Sequence, residues 1–426
     1  MKRLILTFVI LAVLFILSMY YRVSSGVIAP ILMADLHLDA EGLGVLGGAF
    51  FYAFAIFQIA MGPLLDRVGP RIVIPCCSFI GALGSVLFAM AQSFSVATLG
   101  RVLMGLGMAS MLMGSLKVFT LHFPRNSFAT VAGMFVSTGY IGNMLAASPL
   151  AYVALSKGWR ITFMWTALFT AVFGILAFLV LKGGKVRPHD QASEPVHQPS
   201  LRVSMKLILG SLSFWQIAAA AFCRYGTFVS LQGVWLGMYL MDARGLSPVQ
   251  AGNVLIFLSI GNAFGGVIGG MVVDRTSYSE KQVTFSGLAL YCIMLLSLTG
   301  IWRIESVQVY MALSFFIGLF HAVGTLLYAH VKELFPISIA GTAMAWVNFC
   351  VMLGGAILTT VFGKIIELFP RTGTSYPPIA YQLCFFICFV VMGASLIFYW
   401  FSRAKAPLLQ SDTHDVQSPM RHGNLG

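Results

Sequence analysis

Charge is scarce in this chain: 9% of its 426 residues are Asp, Glu, Lys or Arg, against about a quarter in soluble domains. Acid is scarcer still. All 14 Asp and Glu fall in loops, at helix ends or near the termini, and none lies deep in an apolar run. The first shortage excludes a soluble globular domain. The second argues against a carrier of cations, which needs a buried carboxylate to attract its cargo. The seven cysteines (Cys76, Cys77, Cys223, Cys292, Cys350, Cys384 and Cys388) sit inside apolar runs without paired spacing across loops. They read as small core residues, and neither a disulfide frame nor a metal site is expected. No nucleophile–base pair is apparent, so no enzyme activity and no cofactor are expected. Nor is a cleavable leader expected: the run after Lys2 and Arg3 is too long and lacks a small-residue cleavage site. The net charge of +12 does not point to nucleic acid, because cytoplasmic loops of membrane proteins collect Lys and Arg.

What the chain has in abundance is hydrocarbon. Hydrophobic residues make up 58% and the mean hydropathy is +0.88. Apolar runs fall at about 4–33, 43–65, 72–91, 96–121, 128–153, 159–181, 207–241, 250–273, 283–302, 307–331, 338–363 and 378–402. Each is long enough to cross a bilayer, which predicts an all-α membrane protein of twelve helices. One polar stretch, 182–206, holds Pro188, Pro195 and Pro199 and reads as a cytoplasmic linker. It divides a six-helix bundle at 1–181 from a second at 207–402, and 403–426 reads as a disordered tail. With the N-terminus inside, seventeen Lys and Arg lie on the cytoplasmic side and six outside. That asymmetry predicts both termini in the cytoplasm.

Three arginines remain, all inside apolar runs: Arg22, Arg101 and Arg224. An arginine at membrane depth costs on the order of 3 kcal/mol or more unless it meets water, a partner or a ligand. Arg22 and Arg224 occupy matching places in the two halves, which suggests one shared central site. The planar guanidinium fork suits a carboxylate or phosphate, gripping it with two parallel charge-assisted hydrogen bonds. The candidate binding residues are therefore Arg22, Arg224, their neighbours Tyr21 and Tyr225, and the intramembrane amides Gln58, Asn143 and Gln232. His321, midway down the tenth run, is the candidate proton carrier, since imidazole titrates near physiological pH.

The halves also repeat at their loops. Gly62-Pro63-Leu64-Leu65-Asp66-Arg67-Val68-Gly69-Pro70-Arg71 ends the second run, and Gly269-Gly270-Met271-Val272-Val273-Asp274-Arg275 ends the eighth. The first of these resembles the loop signature G-x-L-x-D-R-x-G-x-R of the major facilitator superfamily. Arg101-x-x-x-Gly105-x-Gly107-x-Ala109 is similar to that family's fourth-helix signature. The resemblance covers nearly the whole chain and implies the family's fold of two pseudo-symmetric six-helix bundles. It implies gating roles for Asp66, Arg67, Arg71, Asp274 and Arg275, and packing for Arg101.

Tyr21-Arg22 with Pro30, and Cys223-Arg224-Tyr225-Gly226, resemble the first and seventh helices of the organophosphate:phosphate antiporters and anion:cation symporters. That resemblance implies two arginines holding an anion from opposite halves. Gln58 and Gly139 stand where the phosphate carriers have a lysine and a histidine, which makes this site less cationic than theirs. The expected protein is a bacterial inner-membrane monomer carrying a small organic anion, a carboxylate or phosphate ester. Its other partners are the lipid bilayer and a proton or sodium as coupling ion. A membrane sensor of such an anion, and an exporter of a bulky metabolite or siderophore, stay open at this point.

Overall fold

The computed structural model of the chain describes residues 2–123, 125–181, 201–302, 304–371, 373 and 375–403. The apolar runs are helical, and five of them are broken. The first half comprises α1 (Lys2–Val23), α2 (Ala29–Leu36), α3 (Ala40–Arg67), α4 (Pro70–Ala89), α5 (Phe94–Met108), α6 (Met111–His122), α7 (Arg125–Leu145), α8 (Ser148–Lys157) and α9 (Trp159–Val180). The second half begins with α10 (Leu201–Leu209), α11 (Leu212–Ser230), a π-helical turn at Leu231–Trp235 and α12 (Leu236–Arg244). It continues through α13 (Pro248–Arg275), α14 (Glu280–Leu296), α15 (Val307–Val323), a 3-10 turn at Gly324–Leu326, α16 (Leu327–Leu334), α17 (Ile337–Glu367) and α18 (Pro378–Trp400).

Among the described residues nine segments are long and apolar enough to span, or ten if Val203–Leu209 and Leu212–Arg244, bent by 73°, count as one. The other two runs are α7 with α8, and α14, which has 17 residues. Of the expected linker, 182–200 lies outside the described residues, and its last residues belong to α10. Residues 404–426 of the expected tail also lie outside them.

Local chemistry sets the breaks and starts. Pro30 and Pro149 sit in the first turns of α2 and α8, where a residue without an N–H removes no helical bond. Asp39 caps α3 by accepting from the Gly42 amide at 2.6 Å. Ser247 and Gln250 form a reciprocal capping box at the start of α13, as the Ser-Pro-Val-Gln pattern predicts. Within the second bundle α13 and α15 pack closely. A side chain at Gly261, Gly265 or Gly318 would collide with backbone carbonyls of the opposing helix, which is how small residues let membrane helices approach.

The bundles meet on the face opposite the chain termini. There the Ala40 amide at the start of α3 donates to Glu367 at 2.8 Å and to the Tyr376 hydroxyl at 3.0 Å. Arg371 donates to the Leu38 carbonyl at 3.2 Å, and Lys364 lies 3.5 Å from Glu41. A Cβ at Gly252 of α13 would fall 2.5 Å from the Ser148 amide nitrogen of α8, and one at Gly26 would fall 2.9 Å from the Gly233 carbonyl. Toward the termini face the helices leave space: a Cβ at Gly62, Gly266 or Gly270 would meet nothing within 4 Å.

Candidate functional site

Between the bundles, on the termini side of that seal, lies a cavity of two adjoining lobes of about 140 Å³ and 120 Å³. Phe15, Met19, Arg22, Arg224 and Tyr225 line both. One lobe adds Tyr140 and Asn143 from α7, Gln232 from the π turn, Asn262 from α13 and His321 from α15. The other adds Phe54 and Gln58 from α3, Tyr328 from α16 and Asn348 from α17. No Asp or Glu is among the described lining residues. The electrostatic character is therefore set by two guanidinium groups in a medium where charges are weakly screened.

Both arginines are turned away from lipid. Arg22 is 8% exposed and Arg224 is 3% exposed. Arg22 Nη1 donates to the Tyr225 hydroxyl at 2.8 Å, reaching from one bundle to the other, and its guanidinium lies 4.9 Å from the centre of the Phe54 ring. Arg224 Nη1 donates to His321 twice, to the ring Nε2 and to the main-chain carbonyl, each at 3.1 Å. The Arg224 stem lies directly over Gly324, where a Cβ would overlap it. The 3-10 turn that begins there thus makes room for the arginine. Four buried polar atoms of the cavity have no protein partner: Nε of Arg22, Nε of Arg224, Oε1 of Gln58 and Oδ1 of Asn143. Buried polar groups are normally satisfied, so these four are disposed to receive a polar guest or water.

Not every sequence candidate reaches the cavity. Tyr21 is fully buried inside the first bundle, its hydroxyl 3.0 Å from that of Thr170 and its ring against Phe163. Adjacent helical residues point about 100° apart, so Arg22 and Tyr21 do not share the cavity face. Gln232 lines the cavity but spends its amide N–H on Ser259 at 2.8 Å. Arg101 ties α5 to its neighbours, donating to the Tyr21 carbonyl at 2.7 Å and the Leu46 carbonyl at 3.3 Å, with its guanidinium 5.2 Å from the Phe50 ring centre.

At the termini face Asp66 pairs with Lys117, which also donates to the Leu65 carbonyl at 3.0 Å. Arg71 lies over the Phe178 ring at 5.4 Å, while Arg67, Asp274 and Arg275 are exposed. Sequence reading missed Tyr140 and Asn262. Tyrosine and asparagine are common helix-packing residues, and nothing local marks these two as cavity-facing.

The family model described as Major Facilitator Superfamily matches residues 10–278 and 225–422. The chain is 24% identical over 444 residues to a probable sulfoacetate transporter of Cupriavidus necator, covering 97% of this chain and 96% of that one. It is 24% identical over 370 residues to a hexuronate transporter of Bacillus subtilis, covering 83% and 85%. Among solved structures, a bacterial homologue of the human lysosomal transporter Spinster, inward-facing and unoccupied, superposes with a TM-score of 0.75 at 16% identity, covering 93% and 96%.

Proposed function

The chain belongs to the major facilitator superfamily, and from that premise we propose that it is a secondary transporter of a small organic anion. The supporting observation is the cavity itself: two buried arginines, one from each bundle, in a lining with no described acidic residue. The named cargoes of the relatives, sulfoacetate and hexuronate, are small organic anions. They favour a carboxylate or sulfonate over a phosphate ester. Arg22 and Arg224 take the anionic group, Tyr225 passes between them, and Gln58 and Asn143 meet the polar remainder.

Alternating access follows from the same arrangement. An anion held from both bundles links them, and the seal at Ala40–Glu367 and Gly252–Ser148 must open for the cavity to face the other side. Asp66, Arg67, Arg71, Asp274 and Arg275 belong to the gate on the termini face, where the Asp66–Lys117 pair is made in this state and released in the other. The excess of Lys and Arg on the termini face supports cytoplasmic termini in a bacterial inner membrane.

The test is counterflow in proteoliposomes loaded with unlabelled sulfoacetate or glucuronate. Saturable accumulation of the labelled anion is expected, with none for neutral sugars or organic cations. Binding without exchange would instead identify a sensor. A second expected outcome concerns the seat of Arg224. Gly324→Ala puts a methyl where the arginine stem now lies and against Leu288 at 2.9 Å. Anion affinity should fall about tenfold, the scale of one charge-assisted hydrogen bond, and the melting temperature should drop with the overpacking. Unaltered affinity would show that the observed pose of Arg224 is not the one that binds.

A further inference from the structure

We propose that His321 is the proton-binding group of this transporter, and that Arg224 controls when it can be protonated. The inference rests on the anion-transport reading above and adds the coupling ion and the means of coupling. It starts from a donor count. Arg224 Nη1 lies 3.1 Å from His321 Nε2, and a guanidinium has only donors. Nε2 therefore accepts, and the single ring proton is on Nδ1. That proton is donated to Asn262 Oδ1 at 3.1 Å, which also fixes the orientation of the asparagine amide. The ring is clamped in this pose. It stacks on Phe228 with centroids 3.6 Å apart and planes at 9°, and it is 3% exposed.

The lone pair that a proton would occupy is thus already taken by Arg224. An incoming anion competes for the same guanidinium. When its carboxylate or sulfonate accepts a hydrogen bond from Nη1–H in place of His321, the Nη1–H···Nε2 hydrogen bond breaks and Nε2 is left as a buried acceptor beside a new negative charge. Cavity water then delivers a proton to Nε2, a covalent Nε2–H bond forms, and the imidazolium faces the anion. Release of the anion reverses each step: Nε2 returns its proton to water and Arg224 donates to it again. Proton and anion therefore enter and leave together. A carrier loaded with the anion alone has an unsatisfied buried nitrogen, and one loaded with the proton alone has two cations in contact.

The groups facing His321 are compatible with this role. They are Arg224 and Phe228 from α11, Asn262 from α13 and Tyr291 from α14, whose ring centre is 5.7 Å away. Around Arg224 stand Tyr140, Tyr225 and Tyr328. None of these is a carboxylate, and phenols titrate far above neutrality. Among the described lining residues, the imidazole is the group whose ordinary titration falls between pH 5 and 8.

Two measurements test the proposal. The first needs no anion: nitrogen-15 histidine spectra of the purified protein are titrated across about pH 5 to 8, with the His321 signal assigned by its loss in His321→Gln. In the wild-type protein the Nδ1–H tautomer should persist to the acid end of the range. In Arg224→Gln the same ring should become an imidazolium within it. Equal titration of His321 in both proteins would overturn the interlock. The second adds sulfoacetate or glucuronate to weakly buffered protein near pH 7 and reads proton uptake with an indicator dye. About one proton per bound anion is expected for the wild type and none for His321→Gln. Asn262→Asp, which places a carboxylate beside Nδ1–H, should move the pH dependence of anion binding upward by about one unit. A helix-packing role for the histidine would not produce that shift. Anion binding without proton uptake would sink the coupling while leaving the transporter intact. Absence of binding by any anion would sink the transporter reading, and the histidine titration would still decide the interlock.

Discussion

Arg224→Lys will weaken anion binding about 10- to 100-fold although the charge is kept. The expectation follows from how many donors the guanidinium presents and how many are already used. Nη1 is engaged by His321, while Nε is buried without a partner. A carboxylate docking on Arg224 draws the guanidinium off His321 and gains Nε and one Nη as a parallel donor pair, a geometry that an ammonium cannot offer. Lysine also cannot hold His321 Nε2 in the same pose from the seat over Gly324.

Arg22 has the same idle Nε and faces the same cavity from the other bundle. Arg22→Lys should therefore behave alike. If one anion spans both residues, the double variant should depart from additivity by about 0.5–3 kcal/mol. Dissociation constants for sulfoacetate or glucuronate, measured by calorimetry on the four proteins, provide the check. An unchanged constant in Arg224→Lys would move the binding site elsewhere in the chain.

That pair of arginines was legible in the sequence because charge inside an apolar run is costly enough to demand a reason. Hydropathy alone also located the runs. It could not show the breaks. The turn after Val23, the π turn at Leu231–Trp235 and the 3-10 turn at Gly324 lie inside runs that stay apolar on average despite a few polar residues at each break. Each is set by what packs beside it: Gly26 against Gly233, and Gly324 beneath Arg224.

Facing was the other thing hidden. Hydropathy does not tell which side of a helix meets a cavity when both sides are apolar. Tyr21 and Arg22, neighbours in sequence, consequently separate into core and cavity. The contact between Arg224 and His321 joins residues 97 positions apart on different helices. Two isolated polar residues in two separate runs carry no local sign that they touch. Arg101 is the instructive contrast: it is as buried as the other two, yet main-chain carbonyls satisfy it within its own bundle. Buried charge therefore marks a residue for attention without saying whether it holds the protein or its cargo.

Gly252→Leu will slow transport by about 10- to 100-fold while leaving anion affinity within a few-fold of the wild type. At this position α13 touches α8 of the other bundle, and a Cβ would lie 2.5 Å from the Ser148 nitrogen and 2.7 Å from its Cα. Backbone atoms cannot swing aside as a side chain can, so the added bulk must be relieved by separating the bundles. Overpacking of this kind costs about 1–3 kcal/mol, and contact with main chain places it toward the upper end. The cost falls on the sealed arrangement alone, because the residue meets the other bundle only when that face is closed. A penalty of that size depletes the sealed state by about 10- to 100-fold, and any cycle that passes through it slows accordingly. The binding cavity lies on the far side of the seal and keeps its arginines.

Gly44 of α3, whose Cβ would fall 3.0 Å from the Thr359 carbonyl and 3.1 Å from the Gly363 Cα of α17, should respond in the same direction when changed to leucine. Gly393→Ala is the control, on α18, where a Cβ would lie at an ordinary 3.8 Å from the Cys292 sulfur of the same bundle, and it should transport at close to the wild-type rate. Counterflow rates set beside dissociation constants for the three variants separate a conformational block from a binding defect. Full-rate transport by Gly252→Leu would mean that the closed face seen here is not a station on the transport route. Alternating access would then have to close that face through other contacts.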